Sequence, residues 1–374
     1  MPTPQERLKR ILARALEDPS QPAVTDPEIL ARIEYVSRCL SNRAGVRLLM
    51  ACMLAKLDRP EVDPRKPYTE IGGRGSFSGR SYDEQYLTHF INVNHLPCNP
   101  TTGFLTPAFR NIDKPLRTTV AIVGRPAQVY RDTVQILEDV AKGRVSAKDV
   151  LTDTIRFLVV IREEKKARME TLLASLRHNT DAIPLSSESI VKLIEQHLAC
   201  KHSSRLPVLV VAAAYRVAAD RIGERARPLQ AHTAADEQTG ALGDVEICLM
   251  NDERVVTIYE MKNKRVTIDD IDRALQKIAE RKPRVDHYVF ITTDAIDDEV
   301  KVYAAAMYEK TSGTEIVVLD CVGFARHFLH LFHRLRIAFL DAYQSLLLAE
   351  PDSAVSQPLK EAFLSLRQAA ESSA

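Results

Sequence analysis

The stretch Asp236–Lys264, DEQTGALGDVEICLMNDERVVTIYEMKNK, constrains this chain more than any other part of it. Two apolar runs, GDVEICLM and RVVTIYEMK, flank the polar turn sequence Asn251-Asp252-Glu253, the pattern of a β-hairpin. If Leu249 and Val255 close the five-residue loop, opposed positions sum to a constant and Asp244 lies across from Glu260. Cross-strand partners hold their Cβ atoms about 4.5–5.5 Å apart, so two carboxylates would share one spot. Lys262 is two residues beyond Glu260 and therefore on the same strand face. That face reads Val256, Ile258, Glu260, Lys262, apolar first and then charged as the strand leaves the core.

Two acids and a lysine held this way have a chemical use. Hard cations such as Mg²⁺ take oxygen ligands, commonly one or two carboxylates plus waters and a substrate phosphate. The cation polarises a phosphoryl oxygen and lowers the pKa of a bound water. An adjacent lysine can orient that water and offset charge developing on phosphate. The bland alternative is a surface hairpin with a cross-strand salt bridge; the opposed Asp244, the preceding Gly243 and the strand context favour a site. Glu246 shares a face with Asp244, and a register slip of two residues would put it in the same role.

Gly243-Asp244, followed after a strand and a turn by Glu260-Met261-Lys262, resembles the D…(E/D)-x-K signature of the restriction-endonuclease-like nuclease superfamily. The resemblance implies that Asp244 and Glu260 bind a divalent metal, with the Met261 backbone carbonyl as a further ligand, and that Lys262 assists the attacking water. It implies Mg²⁺ as cofactor, with Mn²⁺ as a substitute. The superfamily often places proline before the aspartate, where this chain has Gly243. Some members add a carboxylate from an upstream helix, and Glu195 is the matching candidate here; an exposed helical glutamate is the plainer reading of it.

The composition sets bounds on partners. Net charge is +1, from 51 basic and 50 acidic residues, so any surface for nucleic acid must be a local patch. Six scattered cysteines without a C-x-x-C pair fit reduced thiols in a cytoplasmic protein and argue against zinc. The amino terminus lacks an apolar signal region and no run reaches a membrane span, so no membrane partner is expected.

Residues 65–131 supply the basic patch, with nine Lys/Arg against four Asp/Glu. They open with RKPYTEIGGRGSFSGRSYDEQY, in which glycines alternate with Arg74, Ser76, Ser78 and Arg80. Glycine lets backbone N–H groups approach phosphate, and arginine binds phosphate or guanine. Arg74, Ser76, Ser78, Arg80, Arg110 and, beyond the hairpin, Lys264 are the candidate DNA contacts. The run is not a P-loop, since no G-K-[ST] follows. Asp83, Glu84, His89 and His95 lie near it, but histidines six apart suit no helix face and are read as structural.

Helical periodicity covers residues 5–19 and 27–57, a β-like run covers 118–123, and two or three helices cover 127–178. Residues 181–187 read as a linker. After it come a helix from Ser187, a second helix from Pro207, the hairpin, a helix capped by Thr267 and Asp270, strand 287–291, a helix near 296–310, strand 315–319 and a long helix over 324–348. The fold class expected is therefore α/β: a restriction-endonuclease-like mixed sheet flanked by helices, with a mainly helical, loop-rich N-terminal domain. The expected division is 1–180 for DNA recognition, 187–348 for the nuclease core and 349–374 as a flexible tail. Together with the overall size, the glycine- and arginine-rich stretch resembles bacterial type II restriction endonucleases, specifically the SacI-like group. That resemblance implies a homodimer acting on double-stranded DNA, with a cognate DNA methyltransferase as functional companion. The alternatives are a repair or modification-dependent nuclease of the same fold, and a non-catalytic DNA-binding protein.

Overall fold

Apolar alternation on either side of Asn251–Glu253 produces the hairpin, strands β2 (Val245–Leu249) and β3 (Val255–Lys262). A computed structural model describes residues 2–372 apart from 40, 100, 111, 121, 178–182, 230–241, 282–284 and 312. The pairs Val245↔Tyr259, Glu246↔Ile258 and Ile247↔Thr257 follow the expected register. The closing pair differs: Cys248 faces Val255, because a bulge between Ile247 and Cys248 absorbs one residue of β3. The irregularity sits at the turn end, so the other end keeps its alignment.

The chain divides into two compact units, Met1–Arg168 and Met169–Ala374. The expected linker at 181–187 is not where they part; Asp181 and Ala182 lie outside the described residues, and Leu185 just after them is buried.

The first unit is helical. Helix α1 (Pro4–Glu17) opens on a capping box between Thr3 and Glu6, and α2 (Pro27–Arg38) on Asp26, whose carboxylate accepts the Glu28 and Ile29 amides. The helical periodicity over 27–57 is divided between α2 and α3 (Ala44–Asp58), which starts beyond Asn42, whose side chain accepts the Ala44 amide. Within α3, residues Ala44 through Ala55 are all buried. Its Arg47 is fully buried against Asp83, Nε to Oδ1 at 2.9 Å, while Asp83 Oδ2 accepts the Thr102 hydroxyl at 2.5 Å and the Gly103 amide at 3.0 Å. A buried charge needs such a complete set of partners, so Asp83 is structural, and His89 and His95 are exposed beside it. The glycine-rich segment is followed by α4 (Gly79–Tyr82), a π-helical turn Asp83–Leu87 and α5 (Thr88–Val93). Two longer helices follow, α6 (Ala127–Ala141) and α7 (Ala147–Arg177), and the first unit ends within α7 at Arg168. The run 118–123, expected as β, forms a turn at 118–120 and no strand among its described residues. Its Thr118 amide is satisfied by the Glu138 carboxylate at 3.2 Å, which replaces a strand partner.

The second unit is built on a five-stranded mixed sheet, order β1-β2-β3-β4-β5. Strand β1 (Glu224–Ala226) and the hairpin are antiparallel, whereas β4 (His287–Thr292) and β5 (Glu315–Asp320) run parallel to β3. On one face Val245, Ile247, Tyr259 and Ile291 meet α8 (Ser187–Leu198), α9 (Leu206–Ile222), α12 (Cys321–Leu331) and α13 (Arg336–Ala349). On the other, Ile258, Tyr288 and Phe290 meet α10 (Ile268–Arg281) and α11 (Asp298–Lys310). Parallel strands buried on both faces read as continuous apolar runs, as HYVFIT does in β4.

The region expected as a flexible tail is α14 (Gln357–Ser372), with Leu359, Phe363 and Leu364 buried. The expectation rested on the Ser/Ala-rich end and overlooked an apolar face at helical spacing. The helix is tied down by His197 on α8. Its Nε2 donates to the Leu359 carbonyl at 2.9 Å, leaving Nδ1 to accept the Tyr343 hydroxyl at 2.9 Å. Among the described residues, no helix is long and apolar enough to cross a membrane.

Burial lowers the His197 pKa from 6.5 to about 4, against the bond to Leu359, which raises it. The unfolded chain therefore binds this proton first, so the stability contributed is present above the unfolded value and is lost as pH falls through it toward the folded one. A shift of that size corresponds to roughly 3 kcal/mol at the acid end. Urea midpoints taken over this window should fall more steeply for the wild type than for His197→Phe, whose absolute stability is lower. Parallel curves would contradict the assignment.

Candidate active site

Gly243 precedes the site and lets the strand leading to it come close. A Cβ there would stand 2.5 Å from Ile258 Cγ2 and 2.8 Å from the Tyr259 carbonyl oxygen. A residue with a Cβ would have to displace one of these neighbours, and glycine does not. The approach places Asp244 at the mouth of the hairpin: its amide donates to the Tyr259 carbonyl at 2.9 Å, and its Oδ2 accepts the Met261 amide at 2.7 Å. Asp244 is exposed and grips the residues on either side of Glu260, as the register requires.

Glu260 and Lys262 project from the same face of β3, where the strand passes out of the apolar layer. Lys262 Nζ lies 2.6 Å from Glu260 Oε1 and 3.3 Å from Asp270 Oδ1. Glu260 Oε2 accepts the hydroxyl of Tyr288, a fully buried residue of β4, and lies 3.7 Å from Lys277 Nζ. Both Lys277 and Asp270 come from α10. The Glu260 side chain is 15% exposed and that of Lys262 26%, so both are sheltered yet reachable.

Electrostatics follow from this crowding. Partial burial disfavours the Lys262 ammonium, but its bonds to Glu260 and Asp270 outweigh that and hold its pKa above the ordinary lysine value. Burial would push the Asp270 carboxyl up; the Thr267 amide and hydroxyl, Arg273 and Lys262 instead bring it down to about 2. Asp270 thus does two jobs: the reciprocal cap with Thr267, amide to Oδ2 at 3.0 Å, and support of Lys262.

The remaining candidates are placed differently. Glu246 is held inside the hairpin by the Leu242 amide at 2.7 Å and by Arg227 at 3.1 Å, and the register has not slipped to bring it forward. Glu195 is on the exposed side of α8, whose principal neighbours are α12 and α14. Lys264 is exposed two residues past Lys262. In the first unit, Arg74, Arg80 and Arg110 are exposed, although Arg80 pairs with Glu84 at 2.7 Å. The two serines serve their own loop: the Ser76 hydroxyl donates to the Gly72 carbonyl at 2.5 Å, and Ser78 caps α4 by accepting the Ser81 amide at 3.2 Å.

Sequence reading missed Lys277 and Tyr288 and saw Asp270 only as a cap. Tyr288 pairs with Ile258 in the parallel register, a long-range relation no local pattern encodes. Spacing from Asp270 to Lys277 is seven residues, two turns of one helix face; the sequence lacks only the direction in which that face points.

Carboxylates are hard oxygen donors of the kind that Mg²⁺ and Mn²⁺ take, whereas a lysine ammonium has no lone pair to give and would act beside such an ion, not on it. Among the described residues no group of three or more His, Cys, Asp or Glu stands placed to hold an ion. Substituting Gly243→Ala should push the strand ends apart, costing roughly 1–3 kcal/mol by overpacking. Urea denaturation would measure this, and an unchanged midpoint would show that the contact is not tight.

No curated protein matches this chain. Residues 183–293 do match the family described as the SacI restriction endonuclease C-terminal domain, a stretch that takes in α8, α9 and strands β1 to β4. That stretch is similar to a restriction-endonuclease domain of the SacI type, and Asp244, Glu260 and Lys262 lie within the matched residues.

Proposed function

We propose that this protein is a metal-dependent endodeoxyribonuclease, a type II restriction enzyme that hydrolyses a phosphodiester at a specific sequence in double-stranded DNA. The observation that carries the reading is the Glu260–Lys262 pair at the strand end where Asp244 accepts the Met261 amide, in a stretch similar to the SacI restriction endonuclease C-terminal domain. Asp244, Glu260 and the Met261 carbonyl would hold Mg²⁺, or Mn²⁺ in its place. When bound, that cation supplies polarisation of the phosphoryl group and acidification of a water.

The chain's own groups do the rest. Tyr288 holds the Glu260 carboxylate in one orientation by donating to Oε2. Asp270, 3.3 Å from the Lys262 ammonium, and Glu260, 2.6 Å from it, together hold that ammonium beside the Glu260 carboxylate. As a donor, Lys262 orients the water and offsets the negative charge that grows on phosphate. Water contributes oxygen to a new P–O bond, the old P–O bond to deoxyribose breaks, and the leaving oxygen ends with a proton.

The exposed cations Arg74, Arg110 and Lys264 support contact with the DNA backbone. Two-strand cutting at a palindrome would use a homodimer. A companion methyltransferase would protect the host's own DNA, and the site of action would be the bacterial cytoplasm. The sheet flanked by helices would serve as a restriction-endonuclease-like core.

Bacteriophage DNA incubated with the protein in Mg²⁺ should give discrete bands that vanish in EDTA. Asp244→Asn, Glu260→Gln and Lys262→Ala should each lower the rate by about 10²–10³ or more while DNA binding in EDTA persists. A metal-dependent smear would point to a nuclease directed by structure or modification. Binding without cutting, unaltered in Asp244→Asn, would leave only a DNA-binding protein.

A further inference from the structure

A groove of about 390 Å³ in the first unit lies between α2, α6 and the loop that follows Leu116. Into it α6 presents Gln128, Arg131, Asp132 and Gln135, spaced i, i+3, i+4 and i+7 and so on one stripe of the helix. Val129, Thr133 and Leu137 on the other side are buried and fix the helix. Gln, Arg and Asp are the side chains that read base edges, yet most of these are committed within the protein. Gln135 donates to Asp139 at 2.8 Å, and Gln128 hydrogen-bonds Asp132. Arg32, from α2, stands 3.2 Å from Glu28 and 3.5 Å from Asp139.

The exposed guanidiniums of Arg117 and Arg131 are placed differently. Arg131 is attracted to Asp132, which Arg32 also offsets. Arg117 makes no ion pair or side-chain hydrogen bond among the described residues. Its backbone, however, is held at both ends. Leu116 is fully buried and its amide donates to the Arg65 carbonyl at 2.7 Å. The Thr118 amide donates to Glu138 at 3.2 Å, and Lys142 holds that carboxylate at 2.8 Å. A cation mounted this way loses little freedom when an anion arrives. Three guanidiniums line the groove against the single carboxylate of Asp132, so an anion is what it attracts.

We infer that Arg117 and Arg131 form a phosphate-binding site of the first unit, whose ligand is a phosphodiester of the DNA strand. The choice of ligand rests on the nuclease reading above. Arginine offers phosphate oxygens paired N–H donors, which the lysine ammonium does not. A contact of this kind positions the duplex and reads no sequence.

The test compares the full-length wild type with Arg117→Gln, Arg131→Gln and Arg117→Lys. Binding to duplexes of several sequences is measured in EDTA across a series of salt concentrations, and cleavage is measured in Mg²⁺. Each glutamine variant should bind every duplex several-fold more weakly and lose about 1 from the slope of log affinity against log salt. Arg117→Lys should recover that slope. In cleavage KM should rise while kcat stays near the wild-type value, because the contact is the same before and during the reaction. Glutamine variants with wild-type affinity and salt slope, changed only in melting temperature, would overturn the assignment while leaving the nuclease reading intact. A free mononucleotide carries the same phosphate chemistry. If it raises the melting temperature of the wild type but not of Arg117→Gln, and the DNA salt slope is the same in both, the DNA assignment falls. A wild type that binds DNA through these arginines but never cuts it would overturn the nuclease reading alone.

Discussion

Everything at the candidate site depends on the pairing of β2 with β3. Side chains on a strand alternate with a period of two, so a slip of one residue would send Glu260 and Lys262 to the opposite face, among Tyr259 and Met261. The pair Val245↔Tyr259 prevents that, and two bonds from Asp244, its amide to Tyr259 and its carboxylate to Met261, lock the end of the ladder. The bulge at Ile247/Cys248 is confined to the turn end and leaves this alignment untouched. Burial on both sides makes the register costly to change, because Val245 and Ile247 belong to one apolar layer and Ile258 to the other.

The second constraint is electrostatic. A half-buried carboxylate is tolerable only with partners, and Glu260 has three: Lys262, Lys277 and Tyr288. They come from three elements, β3, α10 and β4. The site is therefore a product of the parallel β3-α10-β4 unit as much as of the hairpin. Asp270 connects the two roles of α10, since one carboxylate starts the helix and steadies the lysine beside the site. Losing it would disturb local structure and chemistry together.

The places where sequence reading failed share a cause. Residues 349–374 look frayed by composition, yet Leu359, Phe363 and Leu364 find a surface on the second unit, with His197 fastening the helix. Residues 118–123 favour a strand by propensity, yet Glu138 offers the backbone another partner. In each case a partner many residues away or a local turn outcompeted a weak intrinsic preference.

Local pattern alone specifies the hairpin, its register at the open end and the shared face of Glu260 and Lys262, because period-two alternation and a short polar turn leave little choice. It also determined the helix start at Thr267 and the mixed α/β character of the second half, for the same reason. Only the tertiary structure decided that Tyr288 and Lys277 would stand at Glu260, that Glu246 would be tied to Arg227, and that the last helix would be packed. Those outcomes depend on which helix face meets which strand, a choice made by burying apolar surface across long stretches of chain, and no window of neighbouring residues contains it.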